Sequence, residues 1–170
     1  MLLSKNDSLP FKVYNETCDT PVLLVCDHAG NEIPENLKRL GLSREVLETH
    51  IAIDLGCRDL AIALSDLMKS TLIIASYSRL TIDLNRSPYD ETLITQISDD
   101  IEIPGNQNLS KYDISQFTIV SRISQNTLTA LYVILARFKG HSYATQTTVS
   151  LMTYRCPNSL ATRLLRIMPF

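Results

Sequence analysis

Short unbroken apolar runs alternate along the chain with segments whose apolar residues recur at helical spacing. Val22, Leu23, Leu24 and Val25 follow Pro21 as one continuous run, the pattern of a strand buried on both faces. The run stops at Asp27-His28-Ala29-Gly30-Asn31-Glu32, where Gly30 and Asn31 mark a turn out of the sheet. Residues 71–75 (TLIIA) and 147–151 (TTVSL) predict two further core strands. Between the first two strands, residues 35–40 predict a short helix stopped by Gly41, and Ser43 caps a second. Leu60, Leu64, Leu67 and Met68 then give one apolar face to a helix over 58–68. Strand, helices, strand is the βαβ order, which predicts a three-layer α/β domain with a mostly parallel central sheet.

Residues 77–86 change period. Leu80, Ile82 and Leu84 alternate with Thr81, Asp83 and Asn85, predicting an extended strand with one polar face. Residues 87–111, with Pro88, Pro104 and Gly105, predict a loop long enough to act as a lid or binding loop. Its acidic cluster, Asp99, Asp100 and Glu102, is expected to be a solvated face. Leu128, Leu131, Tyr132, Leu135 and Phe138 form the apolar stripe of a helix over 114–138, ended by Gly140. Residues 1–20 are a polar lead-in with a short edge strand at 11–14. The tail from Met152 carries Arg155, Arg163 and Arg166 and predicts no regular element.

Composition narrows the class. At 170 residues the chain fits one domain with a real core, and 45% hydrophobic against 20% charged residues excludes disorder. A formal net charge of −2 offers no basic surface for nucleic acid or anionic membrane. No apolar run is long enough to span a bilayer. Cys18, Cys26, Cys57 and Cys156 have no zinc-finger or CxxC spacing, so they are expected to be reduced thiols in a cytoplasmic protein.

The candidate chemistry sits at the end of the first core strand, where ligands gather in open α/β sheets. His28, with Asp27 or Glu32 as partner, reads as a catalytic or metal site. The competing reading is a polar strand-to-helix turn that Asp27 merely caps. Arg79 and Arg86 present planar forks suited to a substrate carboxylate, or pair with Asp83 and surface acids.

Taken in series, VLLVCDHAGNEIP, HIAIDLGCRDLAIAL, YSRLTIDLNRSP and IEIPGNQNLS resemble the N-formylglutamate amidohydrolase family, in the same order and spacing over about residues 20–116. The resemblance implies a fold similar to zinc carboxypeptidase-like hydrolases. It also implies hydrolysis of the N-formyl amide of glutamate, in histidine breakdown, with a divalent metal, zinc being expected. His28 matches the metal-binding histidine, and Glu32 is a second candidate ligand or catalytic group. Asp54 matches the aspartate of the second motif, as base or orienter. Arg79, Asp83, Asn85 and Arg86 match the third motif and would hold substrate carboxylates. The C-terminal third departs from the family pattern. Met152 stands where a ligand histidine is expected, Gln125 or a neighbour replaces a second histidine, and His141, displaced from the strand end, is the other candidate for that ligand. The family sequence also continues beyond this chain's last residue, so the domain is expected to be C-terminally truncated. The resemblance therefore leaves two expectations: an impaired amidohydrolase acting on a small acidic amide, or a non-catalytic relative that binds an acidic ligand or serves in assembly. No nucleic-acid or membrane partner is expected, and the oligomeric state is open.

Overall fold

A computed structural model describes residues 3–17, 20, 22–87, 89–110 and 112–114, together with the backbone of 149–153. A four-stranded sheet organises them. Its strands are β1 (Phe11–Tyr14), β2 (Val22–Cys26), β3 (Thr71–Ala75) and a C-terminal strand (Val149–Thr153), in the order β1, β3, β2 and then the C-terminal strand. β2 and β3 run parallel, with Leu24 opposite Leu72 and Cys26 opposite Ile74. β1 pairs antiparallel with β3, and the C-terminal strand pairs antiparallel with β2. The predicted βαβ unit is therefore present, but the mostly parallel sheet is not what the described strands form: they make a mixed sheet with one parallel pairing. Helical segments between apolar runs dictate the parallel pair, because a parallel return needs a crossover. They say nothing about the strands added on either side. The C-terminal strand also lies two residues later than the predicted 147–151.

The crossover contains α1 (Arg44–Leu47) and α2 (Cys57–Met68). Ser43 caps α1 as predicted, its hydroxyl accepting from the Val46 N–H at 3.4 Å. Residues 35–41 form a 3-10 helix whose Lys38, Arg39 and Leu40 adopt left-handed φ of 48°, 56° and 55°. α2 corrects the predicted apolar face. The sheet side carries the small residues Cys57, Ala61 and Ser65, whereas Leu60 and Leu67 are exposed. Spacing identifies a helix but does not choose between overlapping faces, and small side chains let this one lie close on the sheet. Cys57 and Ala61 pack there with Leu24, Cys26, Ala29, Leu72 and Ile74.

Residues 77–86 do not form the predicted strand. Ser78, Leu80, Thr81, Ile82 and Asp83 are all buried in a series of turns. The Ser78 N–H donates to the Glu32 carbonyl (2.8 Å), the Thr81 N–H to the Ser78 carbonyl (2.9 Å), and the Ser78 hydroxyl to the Ala52 carbonyl (2.7 Å). The alternation of Leu80 and Ile82 thus serves two clusters rather than one sheet face: Leu80 packs with Leu40, Leu47, Ile51, Ala52 and Ile103, Ile82 with Leu93 and Ile94. Backbone donors and acceptors met by turns leave no ladder to extend.

The 87–111 loop is more structured than a free lid. It holds a hairpin of β4 (Ile97–Ser98) and β5 (Ile101–Glu102), turned by Asp99 and Asp100 at φ 49° and 61°, the left-handed pair of a type I′ turn. A 3-10 turn (Pro104–Asn106) follows, and the fully buried Asn106 amide donates to the carbonyls of Leu80 (2.8 Å) and Thr95 (2.7 Å). The acidic cluster is solvent-facing, as expected. The predicted 114–138 helix, apart from Ile114, and the tail beyond residue 153 lie outside the described residues, as do Gln125 and His141. The C-terminal strand, last in chain order, is β6 (Val149–Thr153).

Candidate active site

β2 delivers Asp27 and His28 at its C-terminal end, and the following turn is pressed against the chain leaving β3. Gly30 makes this approach possible: a Cβ there would overlap the Ser76 carbonyl and lie 2.6 Å from that of Ala75. An isolated parallel bridge joins Glu32 to Tyr77. The two motif segments, 27–32 and 77–86, are thereby laced together, and the Asp54 N–H reaches in to the His28 carbonyl at 3.1 Å.

The side chains converge on His28, which is 3% exposed. Its Nε2 lies 2.7 Å from Asp83 Oδ1, and its Nδ1 lies 3.5 Å from Asp54 Oδ2. Arg79 spans the two acids from the other side, with one terminal nitrogen 3.2 Å from Asp54 Oδ1 and the other 3.0 Å from Asp83 Oδ2. The Asn85 N–H donates to Asp83 Oδ1 at 3.0 Å. Arg86 Nε stands 3.7 Å from Asp83 Oδ2 with its side chain about half exposed.

Burial by itself would lower the His28 pKa. The Asp83 hydrogen bond and the Asp83 and Asp54 charges outweigh burial and the opposing Arg79 charge, and the pKa is raised. Asp83 shows the reciprocal effect: burial raises its pKa, but the His28 hydrogen bond, the His28 and Arg79 charges and the Asn85 N–H leave it depressed. Asp27 behaves differently. Burial pushes its carboxyl up to about 6, His28 opposing and Asp83 adding.

The structure thus brings His28, Asp54, Arg79, Asp83 and Arg86 together, with the Asn85 backbone, and leaves Glu32 apart. Glu32 pairs with Lys12 on β1 at 3.4 Å. The partner of His28 is Asp83, fifty-five residues away, rather than an acid within its own motif. Arg79, expected to bind substrate, holds the two aspartates instead. Met152 also falls away from the centre. It stands opposite Leu23 in the β2–β6 register, whereas Val149 stands opposite Cys26. Three residues of strand put Met152 about 10 Å from the end of β2 that carries His28. The direction of β6 decides this, and sequence spacing carries no strand direction.

A divalent metal is what the resemblance implies, and zinc needs three or four convergent ligands. Among the described residues no group of three His, Cys, Asp or Glu side chains is arranged to hold a metal ion. His28 meets carboxylates at both ring nitrogens, and Glu32 is engaged elsewhere. The described residues by themselves do not fit a zinc ion, and the chemistry below is derived from the side chains alone.

The sequence profile of N-formylglutamate amidohydrolase matches residues 20–128, a stretch holding every residue of the cluster. The chain belongs to the N-formylglutamate amidohydrolase family. Among solved structures, a gene product from Agrobacterium tumefaciens superimposes with a TM-score of 0.68 at 29% identity, covering 78% of this chain and 55% of that one. The chain therefore spans about half the length of that relative. No curated protein matches the chain. Among the described residues, no helix is long and apolar enough to cross a membrane.

Proposed function

We propose that the chain hydrolyses, slowly, the amide bond of a small N-acyl derivative of an acidic amino acid, with N-formylglutamate as the reference substrate. The observation that carries this reading is the closed set of Asp54, His28, Asp83 and Arg79 at the end of β2, inside the segment that defines the family. Arg86 borders the set with a half-exposed side chain that lies 3.7 Å from Asp83 and 4.0 Å from Asp90, and its guanidinium is suited to a substrate carboxylate. Asp54, the more exposed of the two acids that meet His28, takes a proton from water as it adds to the acyl carbon. His28 gives its proton to the departing nitrogen as the C–N bond breaks, releasing the acid and the free amine. Asp83 holds the imidazole in place and stabilises its cation.

The same contacts limit the rate. Asp83 occupies the better-placed His28 nitrogen, and Arg79 neutralises both carboxylates, so the groups are bound to one another before substrate arrives. Formate release from N-formylglutamate tests the reading. A rate above the uncatalysed one is expected, abolished by His28→Ala and shifted to higher KM by Arg86→Ala. No release, with or without added divalent metal, would refute it. The internal satisfaction of His28 and Arg79 favours a second reading, a non-catalytic relative that binds the acidic ligand through Arg86. Calorimetric binding that survives His28→Ala but not Arg86→Ala would mark that case.

A further inference from the structure

The catalytic reading leaves Cys26 and Cys57 unused. Their sulfurs lie 2.9 Å apart in a shared hydrogen bond, and no disulfide joins them. Cys26 ends β2, two residues before His28. Cys57 opens α2, three residues after Asp54. We propose that this pair is a reversible disulfide site, closed by peroxide, which ties the His28 strand end to the Asp54 turn.

The geometry assigns each thiol a part. Cys57 is the first residue of a twelve-residue helix, at the edge of the core that the pair shares. It follows the exposed Leu55 and Gly56 and is 9% exposed against 0% for Cys26. Of the two sulfurs, Cys57 is therefore the one that peroxide meets first. Cys26 is fully buried on the sheet side and takes the resolving part. In the first step the Cys57 thiol is oxidised to a sulfenic acid while peroxide is reduced to water. In the second, the Cys26 sulfur displaces the sulfenic oxygen as a second water, and the S–S bond forms. Two S–H bonds are lost, and two electrons pass to one peroxide. The sulfurs need approach each other by only about 0.9 Å to reach a bonded separation. The two elements are already held in place by the Asp54 N–H bond to the His28 carbonyl.

The full chain, reduced and freed of reductant, is treated with hydrogen peroxide, alkylated and digested without reduction. Cleavage before aspartate separates Cys18 from Cys26 at Asp19 and frees residues 19–26 and 54–58. The expected product is these two fragments linked, about 2 Da below their summed mass and released by dithiothreitol, with slower hydrogen exchange at the Asp54 amide. Cys57→Ser abolishes the linked species. If that variant does not fold, mapping of the unsubstituted chain decides alone. Recovery of Cys26 and Cys57 alkylated after peroxide has modified other residues, or their linkage to Cys18 or Cys156 instead, would overturn the proposal.

Discussion

Replacing Asp83 by asparagine tests the central arrangement of the site directly. The carboxylate is 7% exposed and meets His28 Nε2, an Arg79 nitrogen, the Asn85 N–H and, more distantly, Arg86. Removing one member of a buried charged pair costs about 3–5 kcal/mol, because the partner is left buried and uncompensated. Asparagine keeps the acceptor that His28 and Asn85 use, but it turns an amide donor toward Arg79, so a loss of about 2–4 kcal/mol is expected. For a chain of this length that lowers Tm by roughly 5–15 °C. The imidazole reports the same event. With Asp83 neutral, burial and the Arg79 charge act against Asp54 alone, and the His28 pKa falls from above its ordinary value to below it.

The pH dependence has a definite sign. A raised His28 pKa stabilises the fold in acid, and that contribution fades as pH rises through the folded-state pKa. The depressed Asp83 pKa stabilises above the ordinary carboxylate range, and that contribution is lost as pH falls through the folded-state value. The pair is therefore most stabilising between the ordinary carboxylate and imidazole pKa values, and Asp83→Asn flattens the falls on either side of that window. The assay is denaturant unfolding across pH, with NMR titration of the histidine. An unchanged His28 pKa, with a stability loss under about 0.5 kcal/mol, would refute the reasoning.

Other outcomes follow from neighbouring residues. Asp27 is held near 6 against 3.8 in an open chain, so stability falls as pH climbs between those values; Asp27→Asn removes that slope and stabilises the protein at pH 7.5 by as much as about 3 kcal/mol. Equal effects of this substitution on unfolding free energy at pH 4 and 7.5 would count against the burial argument. Gly30→Ala sets a methyl against the Ser76 backbone and is expected to cost about 3 kcal/mol or more, read as a drop in denaturant midpoint. Protein purified without chelator is expected to carry well under one zinc per chain by elemental analysis. Met152→His is not expected to raise that content, because its register places it opposite Leu23; stoichiometric zinc in either protein would contradict the reading of the described ligands.

Much of this site could be read from the chain. The apolar run of β2, the turn residues after it and the helical spacing of the crossover fixed one βαβ unit, because burial on both strand faces and a helical period leave local marks. The motifs picked out His28, Asp54, Arg79, Asp83 and Arg86 before any geometry was known. Their pairing left no such mark. Asp83 rather than Glu32 meets His28 because buried turns fold residues 77–86 across the end of β2, and those turns depend on carbonyls of Glu32 and Ala52 supplied from elsewhere in the chain. The buried side of α2 was misread as the Leu60 and Leu67 face, since Leu60 and Cys57 are equally compatible with a helix and only the nearness of the sheet selects the small residue. Strand direction settled the place of Met152. Local sequence determines which segments extend, coil or turn; which side chains then meet is decided by packing among segments, where each buried charge takes the partner that the assembled backbone brings within reach.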